Sequence, residues 1–144
     1  MTLIDTNILV YAWLTNAPGH ERARSFLSDA FNRRGEFCLA PQVLWEFFSV
    51  VTHPKKTNPP IAASVAAEIV ESMMHCGLSI LIPSLKANAI TAELLKNFPQ
   101  RRGGLIFDLY LAATALEHGV NQICTADLKH FENIQGLSAV NPLQ

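Results

Sequence analysis

Short apolar segments alternate with longer helix-forming segments along this chain, and that alternation limits its fold more than any other feature. The segments of strand length cover residues 3–4, 36–40, 78–82, 122–125 and 137–140. Strands that alternate with helices form right-handed βαβ units. We therefore expect a central parallel sheet with helices on both of its faces.

The predicted helices carry recognisable start and stop signals. Helical spacing of apolar residues covers residues 7–14, 21–31, 41–51, 60–76, 85–97 and 105–118. Pro41 occupies the first-turn position that proline tolerates, and Ser84 is a typical N-cap residue. Gly119 follows the last of these helices, where glycine commonly ends a helix.

Length and composition indicate one globular domain over residues 1–144. The chain is 49% hydrophobic and 16% charged, which is typical of a protein with a packed core. No apolar stretch is long enough to span a bilayer, and the N-terminus lacks the basic region of a signal peptide. The cysteines, Cys38, Cys76 and Cys124, show no zinc-ligand spacing. We therefore expect a cytoplasmic protein with buried, reduced thiols.

The formal net charge of −1 argues against a protein that coats nucleic acid by charge alone. This net charge does not exclude an enzyme that holds nucleic acid through a local basic patch and a metal. Arg101 and Arg102 form one such cluster, although we expect a surface loop there.

Four acidic residues lie at the edges of apolar segments: Asp5, Glu46, Asp108 and Asp127. Each has an ordinary explanation on its own, such as a helix cap, an arginine partner or an interaction with a helix N-terminus. Asp5 and Asp127, however, follow two predicted parallel strands, whose carboxyl ends meet at one edge of the sheet. Carboxylates that converge repel one another, and a hard cation such as Mg²⁺ or Mn²⁺ relieves that repulsion.

A carboxylate-held metal suits the hydrolysis of a phosphodiester, which needs an activated water and neutralised phosphate charge. Thr6 and Asn7 can orient Asp5, and Thr125 can bond to the carboxylate network. Asn7 also disfavours an aspartyl-phosphate enzyme, which needs a second Asp at that position. A DNA-directed nuclease remains an alternative from the residues alone.

Other side chains have simpler expected roles. We expect His130 to pack beside Phe131, and we expect Trp13 and Trp45 to lie mostly in the core. The Ala-rich stretch 61–74 is consistent with either core packing or an interaction face.

The segments around the four acids resemble the motifs of PIN-domain ribonucleases. They are residues 5–11 (DTNILVY), 42–47 (QVLWEF), 107–115 (FDLYLAATA) and 125–131 (TADLKHF). Their order and spacing, together with the chain length, are most similar to VapC-type toxins of toxin–antitoxin modules.

The resemblance implies a three-layer α/β/α sandwich around a parallel sheet of four or five strands. It implies a Mg²⁺- or Mn²⁺-dependent endoribonuclease that cuts a structured RNA, such as a tRNA or a ribosomal RNA loop, forms a homodimer and is inhibited by a cognate antitoxin. Carried over by position, the metal-binding acids are Asp5, Glu46, Asp108 and Asp127, with Thr125 in a supporting catalytic role. A catalytically silent PIN-like module that binds RNA or a partner is the alternative, and we would expect it to have lost at least one acid.

Overall fold

A computed structural model describes residues 1–144, which are built around a sheet of five parallel strands. The strands are β1 (Thr2–Ile4), β2 (Phe37–Leu39), β3 (Ser79–Ile80), β4 (Gln122–Cys124) and β5 (Ser138–Val140). Their order across the sheet is β3-β2-β1-β4-β5. The predicted three-layer α/β/α sandwich is confirmed, with five strands in its sheet.

Six helices connect the strands. They are α1 (Thr6–Trp13), α2 (His20–Asn32), α3 (Pro41–Val51), α4 (Ala63–Met74), α5 (Leu85–Asn97) and α6 (Ile106–Glu117), with short 3-10 turns at Gly103–Leu105 and Leu128–Phe131. Helix α1 packs against α2 and α3, α3 packs against α4, and α5 packs against α6. None of the helices combines the length and the apolar character needed to cross a membrane.

The predicted helix signals hold, with one difference at α4. The Ser84 hydroxyl accepts a bond from the Lys86 amide at 3.1 Å, and Gly119 has a φ of 70°. Helix α4, however, begins at Ala63 and not at residue 60. The Ile61 amide donates to the Val51 carbonyl at 2.8 Å, which holds this residue in a loop against the end of α3.

The core is continuous and includes most of α6. Leu109, Leu111, Ala112 and Ala115 are at most 1% exposed, so this helix is enclosed on several sides. Burying a large aliphatic side chain contributes about 1.5–3 kcal/mol, so α6 is firmly fixed in position. The acid in its first turn, Asp108, is therefore held on a rigid element.

The three cysteines are free thiols. Cys38 and Cys124 are buried as predicted, and burial raises the pKa of the Cys38 thiol to about 12 and that of Cys124 to about 11. The prediction of burial is wrong for Cys76, which is only partly covered because it lies in the turn after α4.

The central strands place two distant parts of the chain next to each other. In the ladder between β1 and β4, Ile4 lies opposite Cys124. The Asp5 amide continues this pairing by donating to the Cys124 carbonyl at 2.9 Å. Asp5 and Thr125 are therefore the first residues beyond adjacent strands, at the same carboxyl edge of the sheet.

Candidate active site

Asp5 is a buried carboxylate held by three donors from the protein. Its Oδ1 accepts from the Thr6 amide at 2.7 Å, as expected of the N-cap residue of α1. Its Oδ2 accepts from the Thr125 hydroxyl at 2.7 Å and from the Asn7 amide group at 2.9 Å. Since Asp5 is only 8% exposed, these bonds replace most of its contact with water.

Asn7 and Thr125 complete this arrangement, and we call Asp5, Asn7 and Thr125 the inner network. Asn7 Nδ2 also donates to Thr125 Oγ1 at 3.0 Å, and Asn7 Oδ1 accepts from the Ala126 amide at 3.0 Å. Thr125 Oγ1 accepts a further bond from the Asp127 amide at 3.0 Å. The start of α1 is thus tied by side chains to the segment that follows β4.

Burial dominates the acidity of Asp5. It raises the pKa of this carboxyl from its ordinary value of 3.8 to about 6, against the opposing effect of the bonds from Thr125 and Thr6. The negative charges of Asp108 and Glu46 raise the pKa further. The acids are therefore close enough to repel one another.

Glu46 faces the inner network from α3. Its Oε2 accepts from the Thr6 hydroxyl at 2.9 Å, and its Oε1 accepts from Gln42 Nε2 at 2.8 Å. Gln42 lies one helical turn earlier and also donates to the Phe107 carbonyl at 2.9 Å. Glu46 is therefore oriented by neutral donors and not by an arginine.

Asp108 and Asp127 are joined by His130, and we call these three residues together with Arg101 the outer cluster. His130 Nδ1 lies 3.1 Å from Asp108 Oδ2, and His130 Nε2 lies 3.1 Å from Asp127 Oδ2. Arg101 donates to Asp108 Oδ2 at 3.4 Å and to the His130 carbonyl at 2.6 Å. The outer cluster therefore links α6 to the turn at Leu128–Phe131.

Two predictions fail at this cluster. His130 does not pack in the core with Phe131, because the 3-10 turn buries Phe131 while His130 lies against the two acids. Arg101 does not lie free on a surface loop, since its side chain is only 11% exposed and is bound to the cluster. The three-residue spacing of Asp127 and His130 could have indicated the contact between these two side chains. No local pattern indicates the contact of Arg101.

Opposing effects act on the acidity of Asp108. Partial burial raises the pKa of its carboxyl, while His130 and Arg101 lower it. The carboxylates of Glu46 and Asp127 raise it again, and the net pKa lies above the ordinary value. The cationic neighbours therefore offset only part of the cost of placing this acid here.

The structure brings together all the residues that the sequence predicted for the site. Asp5 and Thr125 form the inner network, Glu46 bonds to it through Thr6, and Asp108 and Asp127 lie in the outer cluster. The contacts of His130, Arg101 and Gln42 with the acids were not predicted from the sequence. The prediction that the tryptophans lie mostly in the core is wrong, since Trp13 is 45% and Trp45 56% exposed. The Trp13 ring nevertheless lies 6.4 Å from that of Phe47 on α3.

The donors of the site fit a hard divalent cation in their chemistry. No group of three or more His, Cys, Asp or Glu side chains is arranged to hold a metal ion as the side chains stand. Four carboxylates nevertheless surround one edge of the sheet, and oxygen donors are what Mg²⁺ and Mn²⁺ prefer. Burial is the main cause of the raised pKa of Asp5 and of Asp108, and neighbouring carboxylates add to it, so a cation would stabilise the charged form of both.

A parallel α/β/α sandwich with acids gathered at the carboxyl edge of its central strands defines a class of small α/β proteins with a carboxylate site. Within that class, the chain belongs to the PIN-domain family. The family model described as "PIN domain" matches residues 2–137, which is nearly the whole chain.

Individual relatives agree with this membership. Ribonuclease VapC24 of Mycobacterium tuberculosis is 28% identical over 141 residues, covering 97% of this chain and 94% of the relative. The crystal structure of VapBC2 from Rickettsia felis bound to a promoter DNA fragment matches with a TM-score of 0.66 and 24% identity, covering 97% of each chain. The Mycobacterium tuberculosis VapC20 structure, a sarcin–ricin loop cleaving toxin, matches with a TM-score of 0.68 and 15% identity, covering 91% of this chain and 93% of that one. The predicted resemblance to VapC-type PIN proteins is confirmed.

Proposed function

We propose that this chain is an endoribonuclease that hydrolyses RNA phosphodiester bonds as the toxin of a toxin–antitoxin module. The observation that carries the proposal is the gathering of Asp5, Glu46, Asp108 and Asp127 at one edge of the sheet. Membership of the PIN-domain family supports it, as does similarity to proteins named as ribonucleases.

We further propose that the four acids hold a divalent metal, Mg²⁺ or Mn²⁺. PIN-domain VapC ribonucleases generally depend on such a metal. When bound, the metal would supply an activated water and would neutralise charge on the phosphate. The repulsion among Asp5, Glu46 and Asp108 supports this assignment, because a cation is the usual compensation for converging carboxylates.

The protein's own residues orient the acids for this chemistry. Thr125 and Asn7 fix both the position and the rotation of the Asp5 carboxylate. Burial raises the pKa of Asp5 to about 6, so this carboxyl is mostly ionised at neutral pH and available to hold a cation. Thr6 and Gln42 perform the same orienting role for Glu46.

In the outer cluster, His130 and Arg101 hold Asp108 and Asp127 in position and offset part of their negative charge. His130 lies between Asp108 and Asp127 and can donate to both only when its ring is protonated. Arg101 holds the His130 backbone and so keeps the imidazole in place. We propose that His130 and Arg101 are positioning residues for these acids.

The decisive experiment is a cleavage assay on total RNA with purified protein. We expect discrete products with Mg²⁺ or Mn²⁺ and none with EDTA. Asp5→Asn and Asp108→Asn should each lower the rate at least ~100-fold, as expected for members of a catalytic unit. Asp29→Asn, which changes an exposed acid on α2, is the matched control and should cleave normally.

Thermal melts of the same variants separate loss of catalysis from loss of folding. A folded, metal-supplied wild-type protein that binds RNA without cutting it would overturn the proposal in favour of a silent PIN-like binding module. Cleavage of DNA in preference to RNA would instead identify the protein as a DNA-directed nuclease.

Partners and context follow from the same proposal. We propose that the substrate is an RNA, such as a tRNA or a ribosomal RNA loop, and that a cognate antitoxin binds the chain. We also propose that residues 1–144 form one nuclease domain and that the protein acts as a homodimer in the cytoplasm. Three free thiols are consistent with a reducing compartment. Light scattering of the purified protein tests the dimer, and co-purification with the product of an adjacent small gene tests the antitoxin.

A further inference from the structure

Two exposed aromatic side chains lie directly beside the proposed catalytic acids. Trp45 is 56% exposed and immediately precedes Glu46, and Phe107 is 51% exposed and immediately precedes Asp108. Single exposed apolar residues are common on protein surfaces. Two aromatic rings that are each adjacent to a proposed catalytic acid and that share one cleft call for a functional explanation.

The cleft has a volume of about 310 Å³ and is lined by Gln42, Trp45, Glu46, Ser49 and Phe107. Its aromatic residues are held in place. The Trp45 ring packs against Phe48 with centroids 6.1 Å apart and planes at 67°. The Phe107 backbone is joined to Glu46 through the two bonds that Gln42 donates.

The chemistry of the cleft favours an uncharged planar ring over a phosphate. No Lys or Arg lines it, and the Glu46 carboxylate would repel an anion.

We propose that Trp45 and Phe107 form a stacking site for one unpaired nucleobase of the RNA substrate, next to the phosphate that is cut. This inference rests on the proposed function and adds to it a determinant of substrate position. Unpaired RNA bases are commonly recognised by stacking on aromatic side chains. The site would fix the register of the RNA relative to Glu46 and Asp108.

Tryptophan fluorescence tests the contact without any need for cleavage. The chain has two tryptophans, so Trp13→Phe leaves Trp45 as the single reporter and Trp45→Phe leaves Trp13. The two are exposed to a similar degree, which makes them matched probes. In an Asp5→Asn background with Mg²⁺, short single-stranded RNA of random sequence should quench Trp45 and leave Trp13 nearly unchanged. Equal quenching, or none at Trp45, would overturn the proposal.

Kinetics test the role of the contact in the reaction. Trp45→Ala should lower kcat/KM roughly 10-fold, mainly through KM, as expected for the loss of one stacked base. Trp45→Phe should recover most of this loss, because a phenyl ring still stacks. Trp13→Phe should match the wild type. Sequencing of the product ends should show a weaker base preference beside the cut for Trp45→Ala.

The outcomes separate this inference from the proposed function. If the wild type cuts RNA and Trp45→Ala cuts it equally well at the same sites, the stacking site is wrong and the nuclease stands. If the wild type cuts nothing, the nuclease fails, while the fluorescence pair still decides whether Trp45 contacts RNA. A change from dimer to monomer in Trp45→Ala would assign Trp45 to a contact between copies and overturn the inference.

Discussion

The inner network and the outer cluster hold their acids by different physical means. In the inner network, Asp5 is 8% exposed and is bound by hydroxyl and amide donors that carry no charge. In the outer cluster, the side chains of Asp108 and Asp127 are 27% and 47% exposed. Both lie against the imidazole of His130, and Asp108 also contacts the guanidinium of Arg101.

This difference separates two roles within one site. Bonds from uncharged donors to a buried carboxylate are little affected by salt, so the inner network keeps its geometry as the ionic strength changes. Ion pairs that reach solvent are screened by salt and depend on protonation. The inner network is thus the half of the site whose contacts are insensitive to salt, and the outer cluster is the half whose contacts weaken as salt is added.

The largest expected difference concerns pH. The pKa of Asp5 is about 6 in the folded chain and 3.8 ordinarily, so between these values the folded state binds more protons than the unfolded state. The free energy of unfolding should therefore fall as the pH rises from about 4 to about 6.5, by at most roughly 3 kcal/mol. Denaturant titrations should show a clearly larger fall in the wild type than in Asp5→Asn, which keeps only the contribution of Asp108, whose pKa is also raised. Parallel curves would mean that the inner acid is not desolvated.

Thr125→Val should cause the next largest effect. The substitution keeps the shape of the side chain but removes a hydroxyl that bonds to Asp5, Asn7 and the Asp127 amide. We expect a loss of about 2 kcal/mol in unfolding free energy and a clear loss of cleavage. Thr114→Val is the control, because this buried hydroxyl bonds only to the Tyr110 carbonyl within α6. Equal losses for the two variants would mean that the Thr125 hydroxyl contributes no more than an ordinary buried hydroxyl.

Arg101→Met should act on the outer cluster alone. Removing the guanidinium should raise the pKa of Asp108 further and should lower stability by about 1–2 kcal/mol at low salt. The loss should shrink as salt is added, whereas the loss in Thr125→Val should not. Arg102→Met, which changes the exposed neighbour, should have little effect at any salt concentration. A salt-independent loss would contradict the electrostatic account of this cluster.

The smallest effect expected is stabilisation by Mg²⁺ or Mn²⁺. A metal present several-fold above its dissociation constant should raise the unfolding free energy by about 1 kcal/mol. Melts of Asp5→Asn and Asp108→Asn should show a weaker response, while Asp29→Asn should respond as the wild type does. An undiminished response in both site variants would place the metal elsewhere.

Much of the fold could be predicted from local pattern. Each predicted strand and helix is present, because period and capping signals at residues such as Ser84 and Gly119 are local properties of the sequence. The errors lie where distant contacts decide. The start of α4 is set by the bond between Ile61 and Val51, and no feature of residues 60–62 indicates it.

The site was predictable to a different degree in its two halves. Asp5 and Thr125 follow adjacent predicted strands, so the rule for parallel sheets brings them together. The contact of Arg101 with Asp108 depends on the path of the 3-10 turn at Gly103–Leu105, which sequence spacing does not specify. The exposure of Trp45 was also unpredictable, because an aromatic beside Val and Leu in a helix has the pattern of a core residue.

The side-chain bridge from Asn7 to Ala126 has a consequence for the timing of activity during translation. Asn7 is synthesised before its partner, which follows 119 residues later in the chain. Strand β1 likewise has to wait for β4, its neighbour at the centre of the sheet. A nascent chain that has not yet released this late segment from the ribosome holds Asp5 without Thr125, and so has no assembled site. Under the proposed function, such a nuclease cannot cut RNA before the segment around Thr125 has left the ribosome.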